Sequence, residues 1–178
     1  GRLGPHRRHG AGFPGGAVVR TKLRGAIADQ RRVDMDVPNH PAEALAAIEQ
    51  LFRDSMHGVE GSVLGVGLAV PCAVEPMRLG QLSTRILPGW AGIRPVDWLE
   101  GRFGVPVYIE NDANLGALAE RYWGQGTDGD FAFIKLATGV GSGLVIAGEV
   151  YRGAEGIAGE IGHTAIMLDG PQCRCGLH

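Results

Sequence analysis

The sequence predicts an α/β fold in which a mixed β-sheet is flanked by helices. Two short segments with strand-like patterns, residues 17–28 and 32–37, open the chain, and we expect them to join near Asp29 and Gln30. Strand and helix patterns then alternate along the rest of the 178 residues, which suffice for one large domain. This order is typical of a sheet whose faces are covered by helices.

The first predicted helix begins at Pro41, because proline is tolerated in a first turn, and it ends at Gly58. Its apolar face follows spacings of three and four and comprises Leu45, Ile48, Leu51, Phe52 and Met56. Residues 62–70 form a near-continuous apolar run, typical of a strand that is buried on both faces. Residues 76–92 have no clean period, so we expect a long functional loop there.

The second half of the chain repeats the alternation of strands and helices. We expect helices over 96–103 and Asp112–Trp123, and strands over 105–109, 131–137 and 143–147, with Glu149–Tyr151 extending a hairpin. No internal repeat is visible. Residues 17–178 are the span of the expected domain, and a length of 178 residues fits one large domain or one and a half small ones.

Composition narrows the class of protein. A hydrophobic content of 44% with 20% charged residues is ordinary for a globular protein. No apolar run reaches the roughly 18 residues that span a bilayer, and the start lacks the layout of a signal peptide, so we expect no membrane contact and a cytoplasmic location. The net charge of -2 argues against nucleic-acid binding by the chain as a whole.

Residues 1–16 are rich in glycine, arginine and histidine and have almost nothing to bury. We expect a disordered or linker segment there. It is either a solvated tail without a role or the remnant of a linker from a DNA-binding domain.

The segment Glu110-Asn111-Asp112-Ala113-Asn114 lies where a predicted strand meets a predicted helix. Free backbone N–H groups and the helix dipole favour an ionised carboxylate at that point. An ionised Asp112 in a cleft could accept the proton of an attacking hydroxyl. The alternative is structural, because Asn and Asp are also the preferred N-caps of helices.

The segment from Thr138 to Gly143 alternates glycine with small residues. Glycines let a backbone turn approach phosphate oxygens and direct N–H groups at them. A β-hairpin also favours glycine, so a structural turn is the alternative.

The third segment combines Glu160 and His163 with Cys173 and Cys175. Thiolates and an imidazole suit tetrahedral zinc, and Cys-x-Cys in a cytosolic protein favours a metal over a disulfide. Unligated thiols are the alternative. His178 is a candidate for a further ligand.

In this order, the three segments closely resemble those of the ROK family (repressor, open reading frame, kinase), and the resemblance runs from about Thr21 onward. Residues 65–71 and 87–90 also resemble family segments, with Cys72 in place of a family glycine. The resemblance implies an actin-like, ribonuclease H-like fold of two domains around a cleft. The second domain is expected to be mostly absent from this chain.

The resemblance also implies roles for individual residues. Asp112 would be the catalytic base of a kinase, and the sugar would contact Asn111, Asp112, Glu160 and His163. A nucleotide would contact Thr138, Gly139 and Gly141, with ATP and Mg²⁺ needed only by a kinase. Structural zinc would be held by His163, Cys173 and Cys175. The family pattern adds a cysteine beyond His178, so the zinc segment 159–178 is expected to be incomplete.

One departure from the family bears on catalysis. Active members carry Asp-x-Gly-Gly-Thr in the first strand pair, where it binds the metal–nucleotide phosphates. The matching positions 17–21 read Ala-Val-Val-Arg-Thr here. Phosphoryl transfer depends on positioning and charge neutralisation, so this loss is expected to be severe.

We therefore expect the sugar-binding effector portion of a ROK-type transcriptional regulator without kinase activity. Contact with DNA would come through a helix-turn-helix domain absent from this chain, and the full-length protein is expected to be a homo-oligomer. The alternative is an ATP-dependent sugar kinase that phosphorylates a hexose or N-acetylhexosamine. A third possibility is a folded half-domain without a function of its own, which would expose apolar surface and associate.

Overall fold

The computed structural model describes residues 15–74, 81–84, 86–124, 129–137, 139–167, 169–173 and 175–176. Residues 1–14, part of the predicted loop 76–92 and Thr138 lie outside these described residues. The strands are β1 (Gly15–Thr21), β2 (Ile27–Asp34), β3 (Val66–Val70), β4 (Val107–Asn111), β5 (Phe131–Leu136), β6 (Val140–Ile146) and β7 (Glu149–Tyr151). The helices are α1 (Pro41–Met56), α2 (Pro95–Phe103) and α3 (Asp112–Trp123), with 3₁₀ turns at Pro88–Trp90 and Ile161–His163.

The α/β class is confirmed, but the strands form three small sheets. β1 pairs with β2 in an antiparallel hairpin, β3 pairs with β4 in parallel, and β5, β6 and β7 form an antiparallel meander. The prediction of a single mixed sheet is therefore wrong for the described residues. The five-residue β3 is short, and its described ladder runs to β4.

The opening hairpin turns earlier than predicted. Gly15 and Gly16 already belong to β1, and the turn spans Lys22 to Ala26 rather than Asp29 and Gln30. The Lys22 amide donates to the Ala26 carbonyl, and Gly25 takes a positive φ of 81° that other residues rarely adopt. The left-handed glycine therefore decides where the chain reverses.

The main core lies where α1 and the segments around β3 meet. Its buried hydrophobic members are Ala44, Leu45, Val70, Cys72, Val74, Leu82, Leu87 and Trp90. The predicted apolar face of α1 is confirmed, and Phe52 on that face stacks on Phe103 of α2 with ring centroids 3.9 Å apart. Trp90 Nε1 donates to the Val37 carbonyl at 2.8 Å, so this aromatic packs the loop into the core.

β3 differs from its prediction in how it is buried. Val66, Leu68 and Val70 are at least partly buried, whereas Gly67 and Ala69 are exposed. The strand therefore packs on one face rather than on both, because the described residues place a layer only on the side of Leu68 and Val70.

The meander packs against α3 through a second, smaller core of Ala117, Val145 and Val150, with Leu118, Phe131 and Phe133 around it. β6 begins at Val140, three residues earlier than predicted, so Gly141 and Gly143 lie within the strand. At Gly143 a Cβ atom would come within 2.5 Å of the Ala113 carbonyl oxygen and 2.7 Å of the Ala117 Cβ. Gly143 therefore lets α3 lie directly on the strand.

Among the described helices, none combines the length and the apolar character that a membrane crossing would require.

Candidate functional site

The start of α3 is organised by Asn111. Its side-chain oxygen accepts hydrogen bonds from the amides of Ala113 (2.9 Å) and Asn114 (3.1 Å), so Asn111 is the N-cap of the helix. Its Nδ2 donates to the Cys72 carbonyl at 3.2 Å. The residue therefore joins the helix start to the loop that follows β3.

Glu110 lies next to this cap and is engaged by several donors. Its Oε1 accepts from the Asn111 amide at 2.8 Å and from Asn114 Nδ2 at 3.0 Å. Its Oε2 faces Arg152, with Nε at 2.7 Å and Nη2 at 2.6 Å. Arg152 also donates to the Val150 carbonyl. Glu110 is thus a structural anion that ties α3 to the segment after β7.

Asp112 occupies the first position of α3 and forms an ion pair with Lys135 of β5. The Asp112 side chain is 27% exposed and that of Lys135 is 34% exposed, so both charged ends border solvent. Because Asn111 supplies the cap, the Asp112 carboxylate is left for charge interactions.

The glycine segment forms the tip and the first part of a hairpin. The Ala137 amide donates to the Gly139 carbonyl, which closes the turn between β5 and β6. A Cβ atom at Gly139 would meet nothing within 4 Å, whereas Gly141 faces the Ala113 Cβ. Of the predicted nucleotide-contacting residues, Gly139 lies in open space, Gly141 lies against α3, and Thr138 lies outside the described residues.

The predicted metal ligands are brought together. One ligand atom from each of His163, Cys173 and Cys175 lies within 4.8 Å of the other two, and His163 Nδ1 is 3.4 Å from Cys173 Sγ. Glu160 Oε2 lies 3.6 Å from His163 Nε2, so the carboxylate favours a proton on Nε2 and directs Nδ1 towards the thiols. Thiols and imidazole are the donor groups of tetrahedral zinc sites, so these three residues could occupy three corners of one.

The electrostatics of this cluster favour a thiolate. Hydrogen bonds from the Cys175 amide and thiol, together with His163, lower the pKa of the Cys173 thiol to about 7. Metal ions bind thiolates rather than thiols, so the lowered pKa of Cys173 favours metal binding near neutral pH.

Several contacts place the candidate sugar-binding groups in one region. Asp112 pairs with Lys135 of β5, and Lys135 lies opposite Gly141 in the β5–β6 ladder. Gly162 lies directly against the Val140 backbone at the start of β6.

The turn that carries Glu160 and His163 is tied to β6 by a second contact. The amide and hydroxyl of Ser142 both donate to the Gly159 carbonyl, the hydroxyl at 2.8 Å. This turn is therefore held beside the strand that packs on α3.

Strand β1, by contrast, makes structural contacts. Ala17 and Val19 are exposed, and Arg20 Nε donates to the Ser55 carbonyl in the last turn of α1 at 3.1 Å. A cation at that position stabilises a helix C-terminus. Between Ala17 and Thr21 the described strand offers no carboxylate for a metal ion.

Sequence reasoning missed two charged residues of this region. Lys135 carries a visible signal, since it is the one charged residue in the apolar strand Phe131–Leu136. Arg152 carries no such signal, because only the folded chain brings it to Glu110 across 42 positions.

The ROK family model matches residues 16–178. A xylose repressor from Caldicellulosiruptor bescii is 36% identical over 163 residues, which are 89% of this chain and 41% of that protein. A glucokinase from Halalkalibacterium halodurans is 35% identical over 162 residues, which are 85% of this chain and 47% of that protein.

A solved structure extends the likeness to three dimensions. The ROK family glucokinase from Streptomyces griseus, in complex with glucose and AMPPNP, superposes with a TM-score of 0.80 at 31% identity, over 93% of this chain and 52% of that one. The chain thus spans about half the length of the proteins that it matches. With the family match covering nearly its whole length, this chain belongs to the ROK family.

Proposed function

We propose that this chain is the sugar-binding portion of a ROK-type transcriptional regulator and that it does not transfer phosphate. The single observation that carries the proposal is a contrast. The segments that carry Asn111, Asp112 and Glu160 meet at strand β6, whereas strand β1 lacks the carboxylate and the glycines of the family's first phosphate motif.

The polar groups around Asn111, Asp112 and Glu160 suit an uncharged sugar. Carboxylates such as Asp112 and Glu160 accept hydrogen bonds from hydroxyl groups, and a charged acceptor contributes more than a neutral one. His163 lies beside Glu160 and offers a ring nitrogen on the same turn. In this proposal these three residues and Asn111 contact the sugar, and zinc bound at His163, Cys173 and Cys175 would fix the turn that presents them.

The residues of strand β1 do not suit a nucleotide. Arg20 is bound to the end of α1, and Val19 has a branched side chain where the family has a glycine. Positioning and charge neutralisation supply most of the catalysis of phosphoryl transfer, so these features together oppose it.

The fold and the relatives support the same proposal. We infer the actin-like, ribonuclease H-like fold, as in the family, with the chain supplying the first domain and part of the zinc segment. The repressor relative supports a regulator, in which DNA would be bound by a helix-turn-helix domain outside this chain in a cytoplasmic homo-oligomer. The glucokinase relative and the open backbone at Gly139 favour the second candidate, a sugar kinase that uses ATP and Mg²⁺.

Two assays on the same preparation separate the candidates. Calorimetric titration with xylose, glucose, N-acetylglucosamine and N-acetylmannosamine measures sugar binding, and a coupled assay measures ADP release with the same sugars. We expect binding of at least one sugar and turnover below ~0.1 s⁻¹, well under the usual 1–100 s⁻¹ of kinases. Turnover above that value would contradict the regulator, and the absence of any sugar binding would contradict both candidates.

A further inference from the structure

Lys135 breaks the pattern of its strand. Along β5, Phe131, Phe133 and Lys135 are partly buried, whereas the residues between them are exposed. The two phenylalanines pack against the core beneath α3. A third apolar residue would continue this packing, but the strand has a lysine at that position.

The position is also electrostatically unfavourable for a cation. The N-terminus of a helix carries a partial positive charge, and Lys135 reaches the N-terminus of α3. The ion pair with Asp112 offsets this repulsion. A cation at an apolar strand position beside a helix N-terminus does not favour stability, so Lys135 is a candidate for a functional role.

The surroundings of Lys135 are those of the candidate sugar site. Lys135 pairs with Gly141 in the β5–β6 ladder, and Gly141 faces Ala113, the neighbour of Asp112. The adjacent Val140 contacts Gly162, between Glu160 and His163. The ammonium group therefore lies at the start of α3, and its strand pairs with the strand that contacts the turn of Glu160 and His163.

We propose that Lys135 contacts the sugar and that Lys135 and Asp112 together form hydrogen bonds with two neighbouring hydroxyl groups. An ammonium group has three N–H donors, so the bond to Asp112 leaves donors for a hydroxyl oxygen. The next hydroxyl along the ring donates to the free carboxylate lone pairs of Asp112. Because the charges of the pair cancel, the ligand class is a neutral sugar with vicinal hydroxyls rather than a sugar phosphate.

This inference rests on the proposed function, and its test exploits a property of the chain. Lys22 and Lys135 are the only lysines in the sequence, so lysine labelled with ¹³C at Cε gives two resonances. Lys22 is exposed in the turn of the first hairpin and is the matched control. The chain is titrated with xylose and with glucose by NMR, and calorimetry then compares wild type with Lys135→Met, Lys135→Arg and Lys22→Met.

We expect the sugar to shift the Lys135 resonance and leave that of Lys22 in place. Lys135→Met should weaken binding about tenfold or more, Lys22→Met should leave it unchanged, and Lys135→Arg should retain most of it, because a charged hydrogen bond is lost only in the first variant. Glucose 6-phosphate should bind no more tightly than glucose.

The results that overturn the inference are distinct from those that overturn the proposed function. If wild type binds a sugar while the Lys135 resonance stays in place, or while Lys135→Met binds equally well, Lys135 is not a sugar ligand and the proposed function stands. Tighter binding of the phosphate ester would overturn the neutral ligand class. If wild type binds no sugar at all, both proposals fall. Should Lys135→Met not fold, the shift of the Lys135 resonance in the labelled wild type still decides.

Discussion

Glu110 and Arg152 are 42 positions apart in the sequence, yet Arg152 Nη2 lies 2.6 Å from Glu110 Oε2. The Arg152 carbonyl also accepts from the Ala158 amide, one residue before Gly159. The ion pair therefore connects the start of α3 with the turn that carries Glu160 and His163. We infer that it positions these segments relative to each other without touching a ligand.

Replacing Arg152 with methionine should destabilise the chain by about 2 kcal/mol, because the Glu110 side chain, 15% exposed, would lose its charged partner. Arg94→Met is a matched control, since the pair of Arg94 with Asp97 is half-exposed on both sides and should cost about 0.5 kcal/mol. Urea unfolding of the three proteins measures both values. Equal losses in the two variants would show that the Glu110 pair is no more than a surface contact.

A second prediction concerns the close contact of α3 with β6. Gly143→Ala should destabilise the fold by about 1–3 kcal/mol, because the added methyl group meets Ala113 and Ala117. Gly139→Ala should stay within about 0.5 kcal/mol, since its Cβ would enter open space. Thermal unfolding compares the two. A larger loss at position 139 would contradict the packing described for this hairpin.

The metal cluster should bind zinc with a defined pH dependence. The pKa of the Cys173 thiol is lowered to about 7, so above pH 7 its thiolate is already present and below pH 7 zinc must displace a proton. Affinity should therefore fall between pH 8 and pH 6, by about tenfold per unit below 7 for this thiol alone. Competition with a chromophoric chelator measures it.

Two variants test which thiols bind the metal. Cys173→Ser should lose most of the affinity, whereas Cys72→Ala should not, because Cys72 is buried in the main core, outside the described ligand cluster. Equal zinc affinity in both variants, or an affinity independent of pH, would exclude Cys173 as a ligand.

The local patterns of the sequence predicted the elements better than their assembly. The face of α1 and the position of α3 follow from helical periodicity, which is a property of a few successive turns. The placement of the first turn depended on the left-handed conformation of Gly25, and the start of β6 on the close approach of α3 to Gly143. A single left-handed residue and a contact between separate elements leave no periodic signal.

The same distinction applies to the candidate site. His163, Cys173 and Cys175 are near one another in sequence, and their grouping was predicted. The ion pairs Asp112–Lys135 and Glu110–Arg152 join separate elements, and neither was predicted. The N-cap expected from Asn or Asp is supplied by Asn111, which leaves Asp112 available for other contacts.

Calorimetry of Asp112→Asn tests whether Asp112 contacts a sugar. The substitution keeps the size of the side chain and removes its charge, while the N-cap of α3 stays with Asn111. Asp97→Asn, in the first turn of α2, is the matched control for a lost helix-start carboxylate. We predict that Asp112→Asn weakens sugar binding about tenfold or more without unfolding the chain, and that Asp97→Asn binds as wild type does. Equal sugar affinity in wild type and Asp112→Asn would show that Asp112 does not contact the sugar.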